Sequence, residues 1–573
     1  MNIFKNNIFV RIAFFAISLI FQFIVISNII DRTVSNWSLF FWISSLILLY
    51  AAFPFISRIK NTENKTSFRN FPIILSIILF GIIIRIFLML NTTSFHIDEY
   101  LTAHYSYSLG DLSKLDWFGM YPPVGEWICQ FPLLYFFFQK LFFNIFGLST
   151  LTMRFSILPY ITIIFVSLFL LTKRLYNEKT AITAILIFAI FSPDLYLSRW
   201  SLHFVSSTAL FLLTAYFLTL SLQVGKKINF ALLGFFLATC YMTYYSSYIA
   251  APLVFAYLLV LIITRKVTKP SLINFLLSLG IFLYAISPII AYATKVDNFF
   301  TQRTTQVALI NGLWSPYQNI EIAPKSVLTI LAKQIDISSQ SLYKDGIGGH
   351  AGYWFGRLAL FDKVTFLFFV LSMPFFILKI AKNRKAHDVF ILLTVLSAFI
   401  TGMVFTIPPP AFHRFSIAFP FVALMIAVIT IDAYVILKKK YIKGAILFLI
   451  LCIIAIMIGN ILHFRDVMKT DGPDDPDFPL IHKDLNEENA RMVYVASPHK
   501  YSLGIVLYIR SDKTINSVNH PLEELLREIP HGRTSYLVIV YPNEESIQRV
   551  KEIFPHAQII NKYNTHMLMK IME

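Results

Sequence analysis

Residues 71–100 read FPIILSIILFGIIIRIFLMLNTTSFHIDEY: an apolar run ends at Leu90 and is followed closely by His96-Ile97-Asp98-Glu99-Tyr100. A helix needs roughly 20 apolar residues to cross the hydrocarbon core of a bilayer. The stretch therefore reads as a transmembrane helix that delivers two adjacent carboxylates to a membrane face. Ionised groups beside hydrocarbon are costly unless paired or hydrated. A carboxylate held there, partly desolvated, gains basicity and can accept a proton from an acceptor hydroxyl or amine. The plainer reading is a helix N-terminus, where the dipole favours acids.

Comparable runs lie at 8–30, 37–57, 152–172, 181–197, 203–223, 228–245, 247–264, 271–291, 364–380, 388–407, 414–436 and 443–462. With 71–90 they predict about 13 transmembrane helices. Composition agrees, since 57% of the 573 residues are hydrophobic and 14% are charged, against about 45–50% and about 25% in soluble domains. An ordinary water-soluble enzyme and a disordered scaffold are both excluded. The first run lacks a small-residue cleavage site and is followed by Asp31 and Arg32, so it is read as a retained helix. Cys129, Cys240 and Cys452 show neither a disulfide framework nor zinc spacing.

The net charge of +17 would point to nucleic acid in a soluble chain. Here its placement matters more. With the N-terminus inside, 22 of the 49 Lys and Arg residues fall in seven short cytoplasmic stretches, from Lys5 and Arg11 to Lys438–Lys440 and Lys443. This is the positive-inside pattern, and it removes the nucleic-acid reading. Counting 124–146 as a crossing would invert every later loop, so that stretch is expected to lie at or dip into the outer face. Outer regions are then expected at 91–151, 292–363 and beyond 463. The Asp/Pro-rich segment Lys469–Pro479 marks a boundary. After it, MVYVAS, TSYLVIVY, AQIIN and HMLMKIM read as strands, with helices near 501–509, 521–528 and 544–554. The expected organisation is two additional helices in 1–70, a membrane domain in 71–462, and a small α/β domain in 463–573.

Other residues stand out chemically. Tyr121-Pro122-Pro123 starts a helix, because the prolines fix φ. Arg85 lies inside a crossing, where an ionisable residue is a functional suspect, with snorkelling to the headgroups as the alternative. Gly346, Gly348, Gly349 and Gly352 with Tyr343, Tyr353 and Trp354 suit a lid over a sugar face. The aromatic crossings, Tyr244, Tyr245 and Tyr248 among them, read mostly as lipid contact and packing.

Several motifs occur in a familiar order. The Asp98-Glu99 pair is followed by the Pro-Pro helix start, then by Arg154 opening a crossing that ends in LTKRLYNEKTA (171–181). Ser192-Pro193-Asp194-Leu195-Tyr196-Leu197-Ser198-Arg199-Trp200 comes next. DGIGGHAGYWFGRLALFD (345–362) and Pro410-Ala411-Phe412-His413-Arg414-Phe415 with AFPFVALM complete the set. Over roughly 71–440 the chain resembles the GT-C glycosyltransferases, in particular the bacterial protein O-mannosyltransferase and aminoarabinose transferase superfamily. The resemblance implies transfer of a sugar from a polyprenyl-phosphate donor to a lipid, glycan or protein acceptor on the outer face of a bacterial plasma membrane. It carries over Asp98 as the base, with Glu99 positioning it or the acceptor. Arg154 would brace the Asp98 loop, with Tyr121, Pro122 and Pro123 supporting it. Cations must meet the leaving phosphate, and Arg199, His203, His413 and Arg414 are the candidates. A divalent metal is possible in such a site, with Asp98, Glu99 and Asp194 as candidate ligands. The chain departs from the family at Tyr121, where His is usual, and at Glu126, where protein mannosyltransferases carry Lys; this argues against protein mannosylation of the eukaryotic kind.

The rival class is a transporter or flippase of lipid-linked glycans. It predicts ionisable residues near the midplane of several crossings, and here Arg85 is the exception. No internal repeat supports it. A structural or sensory membrane protein would leave the ordered motifs unexplained.

Overall fold

The computed structural model describes residues 8–53, 70–92, 96–109, 134–295, 301–309, 324–347, 354, 358–383, 385–469, 477–496, 514–520 and 522–572. Tyr121, Pro122, Pro123, Glu126, Cys129, Gly348, Gly349, Gly352, Tyr353 and the 501–509 helix lie outside the described residues.

The protein is a multi-pass membrane protein. Among the described residues, ten helices are long and apolar enough to cross a membrane: Ile8–Ile30, Phe71–Asn91, Thr150–Leu175, Phe204–Val224, Tyr245–Ile263, Lys269–Ala293, Lys363–Asn383, Ala386–Val404, Phe412–Lys438 and Ile442–Lys469. Asn36–Ala52, Leu134–Phe146 and Lys227–Cys240 are shorter apolar helices. Lipid-facing helices leave large apolar side chains on the outside, Phe9, Phe23 and Ile83 among them. Phe204–Val224 and Phe412–Lys438 instead form the buried centre.

The 181–197 run does not form one helix. It breaks into Glu178–Ala189 and Ser192–Leu197, because Pro193 has no N–H to continue the ladder and prefers a helix start. The broken backbone finds new partners: the Ser192 N–H donates to Asn460 Oδ1 at 2.8 Å, and Ser192 Oγ lies 2.9 Å from His463 Nδ1. Such non-helical backbone is tolerated at membrane depth where it is buried in protein.

Polar seams tie the helices. Ser18, Gln22 and Ser45 join the first two helices to Tyr284 and Ser287 of Lys269–Ala293, with Gln22 Nε2 donating to Ser287 Oγ at 2.6 Å. Interhelical hydrogen bonds of this kind contribute about 0.6 kcal/mol each. Elsewhere Lys379 pairs with Asp432 at 2.8 Å and stands over the Tyr176 ring, whose hydroxyl donates to Asp388.

A five-stranded sheet follows: β1 Met492–Ala496, β2 Thr514–His520, β3 Ser535–Val540, β4 Gln558–Lys562 and β5 His566–Ile571, in the order β2-β1-β3-β5-β4. The β2-β1-β3 pairs are parallel and the others antiparallel. Alternation divides the two faces. Val493, Val495, Val538 and Leu568 join the core shared with the bundle, whereas Tyr494, Leu537, Ile539 and Met569 pack with Leu525, Val550 and Phe554. Strand β2 went unrecognised because TINSVNH is polar and carries little alternation. The linker is also shorter than expected, since Ile442–Lys469 runs to Lys469 and a helix begins at Asp477. Asp477 fastens that helix to the start of β5, accepting from the Thr565 N–H at 2.7 Å and the Asn564 N–H at 3.2 Å, with His566 Nδ1 at 3.1 Å.

Candidate active site

His96 caps the helix Ile97–Ser108. Its Nδ1 accepts from the Asp98 N–H at 3.0 Å, and Glu99 Oε2 accepts from the His96 N–H at 3.2 Å, a reciprocal capping box. An imidazole nitrogen that accepts from an amide carries no proton. The 4.0 Å approach of His96 Nδ1 to Asp98 Oδ2 is therefore not an ion pair.

The two carboxylates have different surroundings. Glu99 is fully buried. Arg154 donates to it with Nε and Nη2, each at 3.2 Å, and the Ser201 N–H donates at 2.8 Å. Arg154 Nη1 also donates to the carbonyl oxygens of Met89 and Thr92, at the end of the preceding crossing. Glu99 thus ties three segments together. Asp98 is 3% exposed, and its own N–H is the one that His96 Nδ1 accepts.

The broken helix supplies the next layer. Trp200 packs on His96 with ring centroids 5.4 Å apart. Arg199 is buried with its guanidinium 4.2 Å from the Tyr196 ring and 4.1 Å from the Trp200 ring, and its Nε donates to Tyr196 O. Tyr196 meets Trp354 at 4.8 Å, and Trp354 meets Phe412 at 5.2 Å. From Ser201 onward, the His203 ring lies tilted against Tyr244 with centroids 4.3 Å apart, and Tyr244 meets His413 at 6.3 Å. One aromatic layer therefore runs from the His96 cap to Phe412-His413-Arg414. Tyr343 is not part of it and stacks on Phe366 instead.

Beside this layer lies a cavity of about 340 Å³ lined by Tyr244, Tyr245, Tyr248, Thr304, Thr401 and Arg414. Arg414 is 8% exposed, and its Nη1 has no hydrogen-bond partner among the described residues. The π-turn Ile400–Val404 crosses close above it. A Cβ on Gly402 would lie 2.9 Å from Arg414 O, so glycine permits the approach. The tyrosines expected to face lipid and packing thus surround a cationic pocket. Their clustering as Tyr244-Tyr245-Ser246-Ser247-Tyr248, between two crossings, was the available signal.

Arg85 does not snorkel. It is fully buried, donating to Asp194 Oδ2 at 2.6 Å and to the carbonyl oxygens of Gly81, Phe188 and Ala189, with Phe165 and Phe188 against its faces. The three carboxylates considered for a metal consequently do not form one ligand set, because Glu99 faces Arg154 and Asp194 faces Arg85. Among the described residues no group of three His, Cys, Asp or Glu is arranged to hold a metal ion.

Residues 130–292 match the family model described as dolichyl-phosphate-mannose-protein mannosyltransferase. No curated protein sequence matches the chain. Among solved structures, the fold is similar to ArnT from Cupriavidus metallidurans bound to undecaprenyl phosphate, with a TM-score of 0.52 and 9% identity over 88% of this chain and 98% of that one. It is also similar to the oligosaccharyltransferase of Archaeoglobus fulgidus in complex with Zn and sulfate, with a TM-score of 0.50 and 12% identity over 82% of this chain and 68% of that one. The chain is thus a multi-pass membrane protein that shares its fold with these two structures and carries the family segment over residues 130–292.

Proposed function

We propose that the chain transfers a sugar from a polyprenyl-phosphate donor to an acceptor hydroxyl or amine at the outer face of the membrane. The observation that carries this reading is the division of labour in the acidic pair. Arg154 and two backbone amides hold Glu99, and the adjacent Asp98 stands in the first turn of the same helix, its N–H bound by the His96 cap. Asp98 takes the proton from the acceptor, which attacks the anomeric carbon as the bond from that carbon to the phosphate oxygen breaks. The departing polyprenyl phosphate gains negative charge, and a preorganised cation there stabilises the transition state. Arg414 supplies that cation, with His413 and His203 in the adjoining layer, while Arg199 stiffens the Tyr196–Trp200 strap by stacking.

An apolar slot of about 520 Å³, lined by residues including Leu46, Tyr50, Phe138, Phe235 and Met242, suits a prenyl chain. Met242 brings it close to Tyr244 of the cationic cavity. Undecaprenyl phosphate bound to the fold neighbour ArnT supports the donor class, and the distribution of Lys and Arg supports the orientation. The acceptor class is a lipid, a glycan or a protein, and the membrane is a bacterial plasma membrane. The purified chain, assayed in detergent with a polyprenyl-phosphate sugar and envelope acceptors, should release polyprenyl phosphate. No release with any sugar or acceptor would overturn the reading.

A further inference from the structure

The helix that carries Asp98 is held at both ends by one hub, Ser201. At its start, the Ser201 N–H donates to Glu99 Oε1 at 2.8 Å. Two turns on, Ser106 Oγ donates to Gln139 Oε1 at 2.6 Å, and Gln139 Nε2 donates to Ser201 Oγ at 2.9 Å. Tyr135 Oη donates to Ser201 O at 2.7 Å and accepts from Gln139 Nε2 at 3.3 Å. Ser201 Oγ in turn donates to Met153 O at 2.7 Å, beside Arg154. Ser106, Tyr135, Gln139 and Ser201 are all buried. The donors point one way around the circuit, and none is left over. A network of this kind fixes one geometry, because breaking any link strands a buried polar group.

We infer that Gln139 and Tyr135 are positioning residues for Asp98, acting through Ser201 and Ser106; this rests on the reading of Asp98 as the base. The circuit lets Leu134–Phe146, which contributes neither carboxylate, set where the acid helix stands. Two-point support matters because a misplacement of about 1 Å in a reacting group costs about 100-fold in rate.

The test uses the full-length protein in detergent with a polyprenyl-phosphate sugar. Tyr135→Phe and Gln139→Leu should each lower kcat about 10- to 100-fold with the donor KM unchanged. In an Asp98→Asn background they should add little further loss, because residues acting as one unit are not additive. Hydrogen exchange over residues 97–108 should rise in whichever variant folds, and Ser106→Thr should retain more turnover than Ser106→Ala. An unchanged kcat in folded Tyr135→Phe, a loss confined to donor KM, or full additivity with Asp98→Asn would overturn the inference. Retention of activity by Asp98→Asn itself would instead refute the assignment of the base.

Discussion

Arg154 meets Glu99 edge to edge, Nε to Oε1 and Nη2 to Oε2 at 3.2 Å each, and neither side chain is appreciably exposed. Removing one partner of such a pair leaves a buried charge uncompensated, which costs about 3–5 kcal/mol. Arg154→Gln should therefore lower the melting temperature in detergent sharply. Arg154→Lys should recover only part of it, since a single ammonium cannot reproduce the fork. A melting curve for Arg154→Gln that overlays the wild type would remove Glu99 from its structural role.

Asp98 should behave in the opposite way. Asp98→Asn keeps the shape and the helix cap and removes the proposed proton acceptor, so turnover should fall by a factor of about 10² or more with melting unchanged. Single-turnover assays at saturating donor are the check.

The cationic cavity is testable from two sides. Arg414→Gln should raise the donor KM and lower kcat. Gly402→Ala, whose Cβ would press on the Arg414 backbone at 2.9 Å, should impair donor binding without touching a charged group. If binding of a polyprenyl phosphate, followed by displacement, is equal in both variants and wild type, this cavity is not where the phosphate sits.

The Arg85–Asp194 pair should prove a matter of stability. Asp194→Leu alone should destabilise by about 3–5 kcal/mol, whereas Arg85→Met with Asp194→Leu should be far milder, because no charge is then left buried. Thermal melts of the two single variants and the double variant complete the cycle.

The C-terminal sheet carries an acid-sensitive fastening. Burial pushes the Asp477 carboxyl up, but donors from Thr565, His566 and Asn564 more than offset this and hold it below the ordinary carboxylate value. A depressed folded pKa contributes stability that is present above the unfolded value of about 3.9 and is lost as pH falls through the lower folded value. Hydrogen exchange over Asp477–Glu487 should therefore accelerate below about pH 4, and Asp477→Asn should abolish that pH dependence. An unchanged acid limb in Asp477→Asn would assign it to other groups.

The membrane class was legible because the bilayer imposes a length, and runs such as 71–90 and 443–462 meet it with few charges. The 181–197 run misled for the same reason. Hydropathy registers apolar content and does not register that Pro193 breaks the ladder. Asp98 and Glu99 were conspicuous as adjacent acids, but their difference depends on Arg154, which is remote in sequence. Tyr244, Tyr245 and Tyr248 were illegible as pocket residues because an aromatic side chain has the same hydropathy facing lipid or ligand. Arg85 and Asp194 each stood out, but nothing in one chain pairs them.

The break at Phe191–Pro193 has a consequence for mutational scanning. Two of its contributions, the Ser192 amide to Asn460 and the Ser201 amide to Glu99, come from the main chain. Side-chain replacement leaves them intact, so an alanine scan across 192–201 will under-report how much this segment does. An amide-to-ester replacement at Ser201, which deletes the donor and keeps the side chain, would expose a dependence that ordinary mutagenesis cannot register.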